Sequence, residues 1–257
     1  MVDLTRIHNS ENILGLILAF YVSFAIPARK TAVIMKSVFQ VHVSYQTVLN
    51  YAASAAFYCH RVNLARKGLI NDVSAGDETY IKVLGKHHFV FFFLSAQNLK
   101  ITAYHVADNR GTQPAVIAMN EALRTAESRQ EITLVTDGNP SYPAGVHFLN
   151  AQRQADQHPI SHQKVIGLQN LDAESEQWRA FKQLIERLNR TYKYHVRPAA
   201  GFNSINGAVA LTTLFVTHYN FLRPHMSLHY ETPVHLPELD TIATIQGKWA
   251  KIVSLAA

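Results

Sequence analysis

The polar and apolar positions of this 257-residue chain change period along its length. The first stretch is helical in spacing. Residues 13–28, "ILGLILAFYVSFAIPA", are almost wholly apolar. The run is shorter than the ~20 residues a membrane-spanning helix needs, and before it Arg6 is the one basic residue, with Asp3 nearby. It therefore reads as a buried helix, not as a span or a signal peptide. Pro27 opens a second helix, along which Ala32, Ile34, Met35, Val38 and Phe39 keep a helical apolar spacing. "QVHV" at 40–43 connects it to a third helix, capped by Ser44 and expected from Tyr45 to about Ala56.

From residue 76 the period becomes two. Thr79, Ile81 and Val83 alternate with Tyr80 and Lys82, Leu84-Gly85-Lys86 turns the chain, and "FVFFFL" at 89–94 suits a strand buried on both faces. A third strand follows in "LKITAYHVAD" (99–108), then a helix at 112–127. Ile132, Leu134 and Val135 make a fourth strand that Asp137-Gly138 ends, and 158–168 a fifth. A long helix, 173–195, closes the series with a buried stripe of Trp178, Phe181, Ile185, Leu188 and Tyr192. Three strands, a helix, a strand, a helix, a strand and a helix predict an α/β fold of the RNase-H-like type: a mixed five-stranded sheet with flanking helices. A helical region resembling a helix-turn-helix precedes it. The expected division is 1–70 for that region, 71–235 for the α/β core and 236–257 for a C-terminal tail.

Candidate chemistry lies in three acids. Asp77 and Glu78 open a strand that leads into the core, which a solvated strand end also explains. Asp137 sits at the carboxyl end of a buried strand, where open α/β sheets place ligands, or else is part of an ordinary Asp-Gly turn. Glu186 lies beside the apolar stripe of the last helix, with Lys182, Asn189 and Arg190 three or four residues away. Either these are i,i+4 pairs on a solvated face, or the carboxylate is aimed at a metal. In the predicted fold Asp77, Asp137 and Glu186 converge, with Glu78 turned to the other face of the strand. Three carboxylates suit Mg²⁺, a hard ion that takes oxygen, and two such ions can stabilise both the entering and leaving oxygens of a phosphodiester displacement. Glu174 and Glu176 compete for the third place but stand at the helix start, where acids complement the macrodipole.

Charge points to a polyanion. The net charge is +6, and residues 1–76 and 187–257 each carry seven Lys/Arg against three Asp/Glu, while 77–186 carry ten against twelve. A single cysteine, Cys59, excludes a disulfide framework and a cysteine-based zinc site within one chain. The helix from Tyr45 would present Gln46, Thr47 and Asn50 from its first turns. Gln and Asn can bond bidentately to adenine in the major groove, though a plain helical hairpin fits the same pattern.

The stretches "DETYIKVLGK" (77–86), "DNRGTQPA" (108–115), "TDGNPSY" (136–142), "KQLIERLNRTYK" (182–193), "GFNSINGA" (201–208) and "HYNFLRPHMSL" (218–228) resemble, in this order, the DDE transposases of prokaryotic insertion sequences, with an integrase-type core. The resemblance covers about residues 20–235. It implies Asp77, Asp137 and Glu186 as catalytic residues and metal ligands, and a cofactor of two Mg²⁺ (or Mn²⁺) ions. It also implies cleavage and transfer of strands of double-stranded DNA, between element terminal repeats and target. A homodimer or higher oligomer on DNA, in the cytoplasm beside the nucleoid and not on a membrane, is expected. Arg110, Arg187, Arg190, Lys193, Arg223 and His225 are candidate phosphate contacts, although Arg223 and His225 also suit capping of the helix that ends at Pro224. Two departures stand out. The interval from Asp137 to Glu186 is longer than is usual in the family, which suggests an insertion around 150–175. The cysteines of the N-terminal zinc-binding segment of many relatives are missing. A shortened, inactive copy that only binds DNA is therefore the alternative; a stand-alone nuclease is a third reading.

Overall fold

The computed structural model of the chain describes residues 10–169 and 171–256; Asp3 and Arg6 lie outside these residues. In chain order the elements are α1 (Glu11–Leu18, continued by a π-helical turn, Ala19–Ser23), α2 (Ala28–Phe39), α3 (Tyr45–Arg66), β1 (Val73–Val83), β2 (Lys86–Ser95), β3 (Ile101–Ala107) and α4 (Thr112–Leu123). Then come β4 (Thr133–Thr136), α5 (Ser141–Asn150), β5 (Ser161–Lys164), α6 (Ala173–Val196), α7 (Ile205–Thr217, continued by a π-helical turn, His218–Leu222) and α8 (Ile245–Ser254). Among the described residues no helix is long and apolar enough to cross a membrane.

The chain divides into two compact units. One comprises 1–67, 82–85 and 192–257; the other comprises 68–81 and 86–191. This differs from the expected boundaries, because 192–235 group with the N-terminal helices and α6 runs from one unit into the other.

In the first unit α3 packs on α2 and α7, and α1 packs on α8. The Ser44 hydroxyl caps α3 by accepting from the Thr47 N–H at 3.0 Å. The helix runs to Arg66 and not to Ala56, because its apolar stripe continues: Val48, Tyr51, Ala52, Ala55, Cys59 and Val62 are all buried. Gly68, at φ +67°, follows it. The segment 236–257, expected as a tail, forms α8, capped by Thr244, with Trp249 fully buried. Gly15 of α1 makes the close approach to α8 possible, since a Cβ there would stand 2.1 Å from the Gln246 carbonyl oxygen.

Trp249 stacks on His218, and both reach Ser23: the indole N–H donates to its hydroxyl at 2.9 Å, and His218 Nδ1 lies 3.2 Å from it. Burial, reinforced by the charges of His195, Arg223 and His225, lowers the His218 pKa to about 3. The folded value is depressed below the unfolded 6.5, so this contribution to stability is complete above pH 6.5 and is lost as the pH falls towards 3. We expect His218 alone to remove about 2 kcal/mol between pH 7 and pH 5, at ~1.4 kcal/mol per unit. Urea midpoints across that range check it: His218→Gln should flatten the slope, and equal slopes would assign the acid sensitivity elsewhere.

In the second unit the sheet order is β3-β2-β1-β4-β5. β2 and β3 are antiparallel, while β4 runs parallel to both β1 and β5. Leu84 and Gly85 turn β1 into β2 with φ of 50° and 76°, the left-handed pair of a type I′ hairpin. Val90 to Leu94 are buried on both faces of β2. Phe91 and Phe93 join Ala115, Ala118 and Met119 of α4 and Tyr142 and Val146 of α5 in one core. This mixed five-stranded sheet with flanking helices is an RNase-H-like fold, preceded in the chain by helices. β4 and β5 are only four residues each, shorter than the apolar patterns suggest.

Candidate active site

Strand register brings two of the acids together. Val73, Ser74 and Ala75 pair in parallel with Thr133, Leu134 and Val135, so two residues further on Asp77 stands level with Asp137, the residue that follows β4. Parallel partners face the same side of a sheet. One oxygen each of Asp77, Glu78 and Asp137 all lie within 4.8 Å of one another. Gly76, the residue before, has to be small. A Cβ there would fall 2.3 Å from Cε1 of the buried Phe93 ring.

Asp77 is 8% exposed and fully engaged. Its Oδ2 accepts from Lys182 Nζ and from Asn189 Nδ2, each at 3.1 Å, and its Oδ1 accepts the Glu78 N–H at 3.0 Å. Burial pushes its pKa up to about 6 against the pull of Lys182, with the Asp137 and Glu78 charges adding to the rise. Asp137 is half-buried and accepts the Asn139 N–H at 2.9 Å, closing an Asx turn after β4.

Glu78 corrects one expectation. Strand alternation does send it to the α5 side, where Tyr142 donates to it at 2.6 Å and Asn139 Nδ2 at 2.9 Å. Its carboxylate nevertheless belongs to the acidic cluster. β4 stops at Thr136, so beyond that residue no neighbouring strand separates the two faces. Burial, then the Glu78 charge, raises the Tyr142 pKa well above its ordinary value, so the phenol remains a donor.

Glu186, half-buried on α6, lines a cleft of about 750 Å³ together with Arg110, Asp137 and Lys182. It lies outside the group of three acids within 4.8 Å. Glu174 and Glu176 are exposed at the helix start, and Glu176 pairs with Arg179 at 3.1 Å. Lys182 departs most from the sequence pattern. It is 5% exposed and bound to Asp77, not paired with Glu186 on a solvated face.

The remaining candidates are dispersed. Arg110 is exposed at the cleft, and Arg187 and Arg190 are exposed on α6. In the other unit Gln46 and Asn50 are exposed on α3, Gln46 Nε2 donating to Asn50 Oδ1 at 3.0 Å, with Thr47 half-buried at the cap. Lys193 is exposed. Arg223 lies over the Tyr219 ring at 5.8 Å, and His225 packs edge-on against the same ring at 4.6 Å. Burial and Arg223 lower the His225 pKa to about 4. Near neutral pH it is thus an uncharged ring at the end of a helix, with Nε2 3.4 Å from the Tyr219 carbonyl oxygen, which fits capping.

An all-oxygen donor set at this spacing fits a hard divalent cation. Asp77, Glu78 and Asp137 would hold it, with Glu186 facing the same cleft. Asn189 Oδ1, buried and without a hydrogen-bond partner, is a further oxygen beside Asp77. Sequence reasoning turned Glu78 to the other face, took Asn189 only as a neighbour of Glu186, and missed Asn139 and Tyr142. The signal for Asn189 was present, since Lys182, Glu186 and Asn189 follow i, i+4, i+7 on one helix face.

Residues 168–233 match the family model described as the integrase core domain. No curated protein sequence matches the chain. Among solved structures the chain is similar to the HTLV-2 integrase catalytic core domain in complex with magnesium, with a TM-score of 0.42 and 14% identity over 64% of this chain and 95% of that one. It is similar to a simian T-cell lymphotropic virus intasome in complex with a PP2A regulatory subunit, at 0.44 and 17% over 85% and 77%. It is also similar to the Mos1 strand transfer complex, at 0.30 and 11% over 82% and 76%.

Proposed function

We propose that this chain is a DDE-type transposase of an insertion sequence, which cleaves a DNA strand at the element end and joins it to target DNA. One observation carries the reading: in an RNase-H-like sheet, Asp77 of β1 lies beside Asp137, the residue that follows the parallel neighbour β4, while Glu186 faces the Asp137 cleft from α6. The match of 168–233, which includes Glu186, to the integrase core domain supports it.

In this reading Asp77, Asp137 and Glu186 are the ligands, Glu78 supplements them, and double-stranded DNA occupies the cleft. Two bound Mg²⁺ (or Mn²⁺) ions would supply Lewis acidity at the scissile phosphate. The chain itself fixes the ligands. Lys182 and Asn189 hold the Asp77 carboxylate, and Asn139 holds Asp137 and Glu78. Exposed Arg110 is a phosphate contact at the cleft rim. The proposed reaction is two displacements, each breaking one P–O bond and forming another: water hydrolyses a phosphodiester at the element end, and the freed 3′-hydroxyl then attacks a target phosphodiester and releases a target 3′-hydroxyl, so no covalent enzyme intermediate is needed. Element-end strand transfer on labelled duplexes, with and without Mn²⁺, tests it. Products formed in excess chelator would remove the metal from the mechanism.

Recognition is assigned to Gln46, Thr47 and Asn50. Gln46→Ala or Asn50→Ala should weaken binding to the cognate end by about 1–3 kcal/mol and to random DNA by less, whereas Arg190→Ala should weaken both alike. Equal losses on both DNAs for the Gln46 and Asn50 variants would make α2 and α3 a plain helical hairpin. The expected assembly is a homodimer or higher oligomer on DNA, in the cytoplasm of a prokaryotic cell.

A second reading has a specific observation in its favour. The Lys182 ammonium already sits on Asp77, as it would in an inactive remnant that still binds DNA.

A further inference from the structure

We propose that Lys182 is a tethered cation that competes with divalent metal at Asp77, so that this chain takes one divalent ion tightly and a second only when the ammonium is displaced. The inference rests on the metal-dependent reading above and deepens it.

The pair differs from the other ion pairs among the described residues. Lys182 and Asp77 side chains are 6% and 12% exposed, whereas those of Arg179 and Glu176 are 41% and 53% exposed. Surface pairs of the second kind contribute little. A buried pair persists because separating it would leave each charge in a poor solvent. A metal ion that takes Asp77 Oδ2 therefore has to move the ammonium or tolerate it a few ångströms away.

Charge decides how many ions the cluster accepts. Asp77, Glu78 and Asp137 contribute three negative charges within one small group, Glu186 adds a fourth from the same cleft, and Lys182 returns one positive charge. Three negative charges remain, of which one divalent ion neutralises two. A second ion would leave the group positive unless Lys182 left it or another anion entered. Asn189 Oδ1 adds weight to a cation site, because it is an oxygen acceptor on a residue 8% exposed, with no partner, whose amide nitrogen is bound to the same aspartate. Lys182 also has somewhere to go. It lines the cleft, and its flexible four-carbon stem lets the ammonium swing out while its backbone stays in α6.

The test is a Mn²⁺ titration of the full chain, without DNA, read by the loss of the free-ion electron paramagnetic resonance signal. The wild type should bind one ion tightly. Lys182→Met should bind at least tenfold more tightly or take up a second ion, Lys182→Gln should move in the same direction, and Lys182→Arg, which keeps the charge, should match the wild type. Added Mn²⁺ should raise the melting temperature of Lys182→Met more than that of the wild type. Equal affinity and stoichiometry in the wild type and the two neutral variants would overturn the inference and leave the metal site standing. Two ions of equal affinity in the wild type would overturn it without any variant, should Lys182→Met and Lys182→Gln fold poorly. No binding to any of the proteins at millimolar Mn²⁺ would instead overturn the metal-dependent reading, and the inference with it.

Discussion

Asp137→Asn and Glu186→Gln should each reduce strand cleavage at least ~10³-fold, or ~4 kcal/mol of barrier, with the fold intact. The size follows from what the substitution removes. An amide is nearly isosteric with a carboxylate but carries no charge, and a hard divalent ion loses a ligand it cannot replace. The fold should survive. Asp137 accepts the Asn139 N–H, which an amide oxygen can still accept, and Glu186 lines a cleft. Asp77→Asn is a less clean test, because it leaves the buried Lys182 facing a neutral group, and breaking a buried pair costs about 3–5 kcal/mol. Its activity has to be read beside its melting curve. Glu174→Gln and Glu176→Gln should stay within about tenfold of wild type, ~1.4 kcal/mol, since both side chains are exposed and Glu176 is engaged with Arg179. Cleavage is measured on a labelled element end under single-turnover conditions. If Glu176→Gln fails while Glu186→Gln cleaves, the third acid is misassigned.

The chain made the second unit's architecture readable because each of its elements has a strong local pattern. Thr79, Ile81 and Val83 are buried and Tyr80 and Lys82 exposed, as their alternation requires. "FVFFFL" has no polar face to expose, and its burial on both sides follows. The Asp77–Asp137 pairing was legible only through the fold, since it depends on parallel register between β1 and β4. What no local pattern carried was the environment across from each helix. Lys182 stands at ordinary i,i+4 spacing to Glu186, and nothing nearby in sequence says that Asp77, 105 residues away, takes its charge. Glu78 reads as facing away because alternation was applied as though β4 continued, whereas its end at Thr136 opens a path around the strand edge. The extra length of α3 was visible in its apolar stripe. Its neighbour α7 was legible as the helix that ends before Pro224, but its start was not, because residues 205–217 show little helical periodicity.

Trp249→Ala should lower the stability of the first unit by about 3–5 kcal/mol, the usual cost of truncating a fully buried Trp. A ten-residue helix such as α8 is marginal by itself, so its order depends on what it buries. Trp249 is 0% exposed, with Ile252 and Val253 buried beside it at the helical spacing, and its indole N–H is bound to Ser23. The truncation removes the ring, the stacking on His218 and that hydrogen bond together. It also leaves a cavity that backbone contact between α1 and α8 at Gly15 resists closing. Urea denaturation of the full chain measures the loss. Met226→Ala, at a side chain 77% exposed in the same unit, is the control and should stay within ~0.5 kcal/mol of wild type. An unchanged midpoint for Trp249→Ala would return 236–257 to the dispensable tail that its position in the sequence suggests. A large loss makes the C-terminal segment part of the scaffold on which α1 and α3 are held.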